Sequence, residues 1–233
     1  MSPPVRQPVG FFRATAILLR KDLLLEWRTR ARVNALVFFA LATLLLFAFA
    51  LDANRNIMQA AAGGLLWLGL LFSSVLALGE SFRVENENAA LDGIRLVPAS
   101  GRAIFIAKAL GNTLLIYALG WLLLPVMVAL YDIHLTLGPG PYAIALLLGC
   151  LSITAPGVVF SAIANNARAR DVLLPLLLFP LLVPALLASV KATTLVFGGD
   201  PMDQLRSWLW LVAGFDVIYW ALGFLLFPRV IED

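Results

Sequence analysis

Charged side chains divide this chain into six long apolar windows. Residues 33–51, 57–79, 109–131, 142–164, 172–190 and 208–227 contain a single charged residue among them, Asp216. At about 1.5 Å rise per residue, each window is long enough to cross roughly 30 Å of hydrocarbon as an α-helix. Lipid offers backbone polar groups no partner, so segments that satisfy their own hydrogen bonds are the expected solution. The pattern predicts an all-α integral membrane protein of six transmembrane helices, with residues 1–233 forming one transmembrane domain. Ahead of the first window, residues 11–32 predict an interfacial elbow helix. Ala16, Leu19, Leu23 and Trp27 follow an apolar i, i+3, i+7 spacing, and Arg13, Arg20, Arg28 and Arg32 fall near one stripe. Glu26 and Arg30 stand four apart on it. The alternative is a juxtamembrane basic stretch that only fixes topology.

Six spans put both termini on the same side. With the N-terminus inside, the inner segments hold 14 of the 17 Lys and Arg residues, and the outer loops keep only Arg55, Lys191 and Arg206. The positive-inside rule then predicts an N-in, C-in topology. A chain that is 61% apolar and 13% charged has too little polar surface for a soluble domain. The apolar run at 14–19 is too short for a signal peptide, and a basic stretch bearing Trp27 follows it, so the chain is expected to insert uncleaved. The single cysteine, Cys150, excludes an intrachain disulfide and any two-cysteine redox or haem-attachment motif, and reads as a packing residue. The net charge of +3, concentrated inside, suits membrane lipid with anionic headgroups and not nucleic acid.

The outer loops at 52–56 and 132–141 are short, the second punctuated by Gly138, Pro139, Gly140 and Pro141. In the third, 191–206, Asp200 as N-cap, Pro201 at the first helical position and Asp203 in the first turn predict a short outer helix. Pro156 and Gly157 in the fourth span, and Pro175, Pro180 and Pro184 in the fifth, predict kinks. Gly63 and Gly64 permit close helix contact, with a second copy or a partner helix as the expected neighbour.

The inner segment 80–102 mixes anchors with charge. Phe82, Leu91, Ile94 and Leu96 lie among Glu80, Arg83, Glu85, Glu87, Asp92 and Arg95, which is the composition of a protein-docking surface. Gly93 ends a helix there, Pro98 forbids its continuation, and Ser100 caps the next one. The other inner loop carries Arg168, Arg170 and Asp171. Asp216 is costly within a span unless paired, protonated or hydrated, so it should face protein or a water-filled cavity. A neutral acid bonded to Ser, Thr or Asn is one reading, with Asn112 in span three as a candidate partner, and a transport role is the other. His134, the only histidine, lies at the outer end of span three. It is either a solvated loop residue or a haem axial ligand. No metal-ligand cluster accompanies it. Trp67, Trp121, Trp208, Trp210 and Trp220 read as interface tryptophans before they read as a haem-stacking set.

The ordered combination of these stretches resembles a known family. It comprises the basic run from Arg20, Lys21 and Asp22 to Glu26, Trp27 and Arg28, then Gly64 to Trp67 with Phe72, Ser73 and Ser74. Next come Leu91, Asp92, Gly93, Ile94, Arg95, Leu96, Val97 and Pro98 with Phe105 to Lys108, then Arg168 to Asp171 and the proline-studded Leu173 to Pro184. This order resembles the membrane subunit of type-two ATP-binding-cassette exporters, and more closely the haem exporter protein B, or CcmB, family of cytochrome c maturation. The resemblance implies a permease of the bacterial inner membrane whose inner coupling helix engages a separate ATPase, CcmA. It implies haem-handling partners CcmC, CcmD and CcmE, a possible permease homodimer, no covalently bound cofactor, haem as a possible substrate, and ATP used through the partner. Asp216 matches no motif of that family.

Residue chemistry points the same way. No G-x-x-x-x-G-K-[ST] run occurs, and none of the three lysines follows a glycine, so the chain has no phosphate cradle of that type. The competing classes are a permease for another amphiphile, an intramembrane enzyme using Asp216 and Glu80, and a passive helical scaffold. The charge split is tested by cysteine labelling in a Cys150-free background. Gly140→Cys should react with an impermeant thiol reagent from outside and Asn88→Cys should not. The reverse pattern would overturn the N-in orientation.

Overall fold

The computed structural model describes residues 10–51, 55–87, 100–165 and 170–232, with the side chains of all but 27–29, 82–87, 165, 170–172 and 232. Among these residues the regular structure is entirely helical. The helices are α1 (Phe11–Thr29), α2 (Ala31–Ala50), α3 (Arg55–Glu87), α4 (Gly101–Tyr131), α5 (Pro139–Asn165), α6 (Arg170–Gly198) and α7 (Leu205–Glu232). The six from α2 to α7 are long and apolar enough to span a membrane. Their outward side chains agree. Phe38, Leu46 and Phe49 on α2 and Val217, Ile218 and Leu225 on α7 are exposed, the inverse of a soluble surface. The chain is a multi-pass membrane protein.

Helices α3 and α5 form the centre. In their most apolar windows 67% and 61% of residues are buried, against 17% in α2 and α7, which therefore form the periphery. Helix α5 packs against α3, α4, α6 and α7. Between lipid-bathed helices apolar burial supplies little drive, so association depends on close packing and on interhelical hydrogen bonds. Gly149 on α5 shows the first. A Cβ there would lie 2.0 Å from Trp67 Cη2 and 2.8 Å from Ser189 Oγ. The absence of a side chain lets the indole of α3 slide under α5 and donate its Nε1–H to Thr193 Oγ1 on α6 at 2.9 Å. Gly63 brings α3 against α6 in the same way, since its Cβ would meet Thr194 Oγ1 at 2.5 Å and the Val190 carbonyl at 3.1 Å. The glycine pair expected to serve another copy or a partner helix is thus occupied within the chain.

Hydroxyls supply the second contribution. Tyr131 donates to the Leu44 carbonyl at 2.6 Å, Tyr142 to the Gly120 carbonyl at 2.9 Å, and Ser161 to the Leu78 carbonyl at 2.6 Å. Each crosses between helices. Helix α6 runs unbroken through Pro175, Pro180 and Pro184, and α5 runs unbroken through Pro156. Helix α6 also continues beyond its predicted window to Gly198, carrying Lys191 at an exposed position.

Two of the connections between helices depart from regular helix in a definable way. Asp132 adopts the left-handed region at φ 52° and stops α4. The predicted helix start at Pro201 is corrected. Residues 201–203 form a turn, Asp203 is left-handed at φ 52°, and α7 begins only at Leu205. Asp200 still caps it, because its carboxylate accepts the N–H groups of Gln204 and Leu205 at 2.8 Å each, which places the cap over the turn instead of directly before Pro201. The packing argument has a direct test. Gly149→Val should lower stability by about 1–3 kcal/mol through overpacking, read as an earlier thermal unfolding midpoint in detergent. Gly140→Val, with no atom within 4 Å of its Cβ position, should leave the midpoint unchanged.

Candidate functional site

Among the described residues the most extensive side-chain polar network of the bundle is built around Arg32. This side chain sits in the first turn of α2, two residues past the left-handed Arg30 (φ 47°) that joins α1 to α2 without a loop. Its Nη1 donates to Glu26 Oε2 at 2.9 Å, and its Nη2 donates to the Ala77 carbonyl at 2.6 Å and to Asn112 Oδ1 at 2.9 Å. One guanidinium therefore joins α1, α2, α3 and α4. The planar five-donor fork of arginine suits such a junction better than a lysine's single point charge.

Asn112 extends the network. Its Nδ2 donates to Ser81 Oγ at 3.3 Å and to the Lys108 carbonyl at 2.8 Å. Lys108, only 3% exposed, donates from Nζ to the Ser81 carbonyl at 3.0 Å and stands 3.9 Å from Asp22 Oδ2. Glu26 Oε1 and Arg32 Nε are buried without a hydrogen-bond partner, so the knot is tightly enclosed but incompletely satisfied. Burial pushes the Glu26 carboxyl above the usual carboxylate range, with Arg32 opposing the shift by the smaller amount.

This geometry corrects two expectations. The side of α1 that packs on the bundle carries Ala14, Leu18, Asp22 and Glu26. On the predicted apolar face, Ala16 and Leu23 are exposed, although Leu19 does reach Gly111. Apolar side chains lose little by facing lipid, whereas the two acids need the cations of the bundle. Asn112, offered as a partner for Asp216, instead belongs to the Arg32 network.

Asp216 lies on the opposite side of the bundle core, between α7 and α5. It is 7% exposed, its Oδ1 accepts the Ser152 hydroxyl at 2.5 Å, and its Oδ2 is buried without a partner. One turn further on, Trp220 donates Nε1–H to the Leu151 carbonyl at 3.3 Å. Together the two residues fasten α7 to α5. The tryptophans do not form one stacking set. Trp67 is enclosed beside Thr193, Trp121 meets Tyr142 edge-on at 5.2 Å, Trp220 meets Phe105 at 5.8 Å, and Trp210 is exposed.

His134 is exposed in the connection between α4 and α5. Beside it, Arg55 pairs with Asp132 at 3.1 Å and Gln59 donates to the Asp132 carbonyl at 2.8 Å. Among the described residues no group of three or more His, Cys, Asp and Glu is arranged to hold a metal ion. Phe82, Glu85 and Glu87 fall on the last turns of α3, and Arg170 and Asp171 open α6. Leu91, Asp92, Gly93, Ile94, Leu96 and Arg168 lie outside the described residues.

Residues 13–232 match the model of the family described as CcmB protein. The chain belongs to the CcmB family. It is similar to heme exporter protein B of Bradyrhizobium diazoefficiens, 30% identical over 195 residues that cover 82% of this chain and 85% of that protein. It is similar to heme exporter protein B of Paracoccus denitrificans, 31% identical over 191 residues covering 81% and 86%. The protein of the same name from Pseudomonas aeruginosa is 29% identical over 196 residues, covering 83% and 86%. The Arg32 knot and Asp216 both lie inside the stretch matched to the CcmB family.

The knot predicts non-additive mutants. Arg32→Met alone leaves Glu26 enclosed with no counter-charge and should cost about 3 kcal/mol, the lower end for a broken buried pair because this one is partly exposed. Adding Glu26→Gln removes the stranded charge and should recover part of that loss. A double-mutant cycle on unfolding in mixed micelles checks it, and simple additivity of the two changes would exclude the assigned pairing.

Proposed function

We propose that this chain is the permease subunit of an ATP-binding-cassette complex acting in haem export or delivery for c-type cytochrome maturation. The match of residues 13–232 to the CcmB family carries this reading, and relatives that cover most of the chain are named heme exporter protein B. It places the chain in the bacterial cytoplasmic membrane with both termini inside, as the distribution of Lys and Arg favours. The permease is not itself the ATPase. ATP is hydrolysed on a CcmA-like subunit, CcmC-, CcmD- and CcmE-like proteins handle haem, and a second permease copy completes the complex. Haem is substrate, with His134 offering an imidazole at the outer surface.

The ATPase engages the inner segment 80–102 through Phe82, Leu91, Ile94 and Leu96, with Glu85, Glu87 and Asp92 fixing register and Gly93 ending its helix. Arg168, Arg170 and Asp171 offer the second inner contact. The Arg32 knot supports this route physically. Ser81 and Lys108 stand just before and just after most of the segment, and Lys108 ties them by its bond to the Ser81 carbonyl. Movement of the segment therefore loads α3 and α4 together, and through Asn112 and Arg32 it reaches α2 and α1. Asp216 has the separate task of holding α7 on α5.

Leaving a large apolar side chain in water forfeits roughly 1.5–3 kcal/mol for each one that a partner buries. Replacing Leu91 and Ile94 together by Asp should therefore release the ATPase from the purified complex, while membrane abundance of the permease stays normal. Unchanged ATPase co-purification with normal cytochrome c assembly would refute the docking role.

A further inference from the structure

Helix α1 carries charges of both signs, and the fold sorts them. Asp22 and Glu26 turn toward Lys108 and Arg32 in the bundle, whereas Arg13 and Arg20 are exposed and the Lys21 side chain is 38% exposed. A helix mixed in sequence therefore presents a basic outer stripe. A shallow, open groove along this helix is lined by Ile17, Arg20, Lys21, Leu24 and Leu25. Ile17 and Leu24, 55% and 51% exposed, give it an apolar floor that none of the described helices covers. Through Arg30 the same helix leads directly into the first turn of α2, so its C-terminal half stands beside the end of a span.

We propose that this groove binds an anionic phospholipid of the bilayer, with the phosphate on Arg20 and Lys21 and an acyl chain along Ile17, Leu24 and Leu25. Arg13, two turns earlier on the same stripe, adds to the attraction. Charge complementarity selects the headgroup, and the apolar floor beside it selects a lipid over a soluble anion. An acidic protein would use the cations but leave the floor exposed. The site also communicates with the interior. Lys21 Nζ stands 3.1 Å from Asp22 Oδ1, and Asp22 Oδ2 stands 3.9 Å from Lys108 Nζ. A phosphate that draws Lys21 away leaves the Asp22 carboxylate to close on Lys108. Lipid occupancy thereby tightens the hold of α1 on α4.

The test is native mass spectrometry of the full chain released from micelles supplied with equal amounts of phosphatidylglycerol and phosphatidylcholine. The wild-type chain should retain phosphatidylglycerol in preference. Arg20→Gln with Lys21→Gln should reduce that preference by roughly fivefold or more, since each basic residue near a membrane surface contributes about fivefold. The charge-keeping pair Arg20→Lys with Lys21→Arg should preserve it. So should Lys191→Gln with Arg206→Gln, which removes two exposed charges from elsewhere on the chain. No headgroup preference in the wild type, or an equal preference in the Gln pair, would overturn the proposal. Displacement of the lipid by millimolar inorganic phosphate would overturn it too, because the site would then be one for a free anion.

Discussion

A guanidinium buried among helices at the start of a membrane span must find partners on protein, and satisfying Arg32 ties together the helices around it. Its three bonds reach Glu26, Ala77 and Asn112 on three different helices. An apolar side chain in the same place would carry no such demand, because lipid accepts apolar surface nearly as well as protein does. The direction of α1 follows from it. With Glu26 and Asp22 turned inward, the helix lies against α4, and the left-handed Arg30 makes the change of direction in one residue. The strain of that backbone, of order 1–3 kcal/mol, is held in place by the charge pair on either side of the hinge.

The centre of the bundle is held by different means. Here the close approach of α3, α5 and α6 at Gly63, Gly149 and Trp67 sets the packing, and hydroxyl bonds such as Ser152 to Asp216 fix orientation. The end of the bundle that carries Arg32 is thus ionic and the centre is steric.

The six spans are legible in the sequence because any residue that faces lipid has to be apolar, and that demand leaves uninterrupted windows. The Arg32 knot is not legible for the same reason inverted. Arg32 and Lys108 flank windows, where basic residues are expected to report topology, so nothing in their position distinguishes a headgroup contact from a buried bond. The usable signal was the i, i+4 spacing of Asp22 and Glu26 on the stripe of Ala14 and Leu18, two acids sharing one face of an otherwise basic helix. Gly63 shows a related limit. A glycine pair announces a close contact but not with which helix, and here the answer is set by Val190 and Thr194, well over a hundred residues away in the chain. Asp216 stood out as an intramembrane acid, yet Ser152 had no special mark among the hydroxyls of the fourth span.

Biosynthesis gives the Arg32 knot an order in time. Asn112 follows Arg32 by 80 residues and Ala77 follows it by 45, whereas Glu26 precedes it by six. On a ribosome adding about 5–20 residues per second, the α2 span emerges some seconds before α4 can supply its carboxamide. Until Ala77 is added, 45 residues after Arg32, Glu26 is the one partner already made. The acid on α1 is therefore the first counter-charge within reach of Arg32, and becomes one corner of the finished junction only when α3 and α4 have followed.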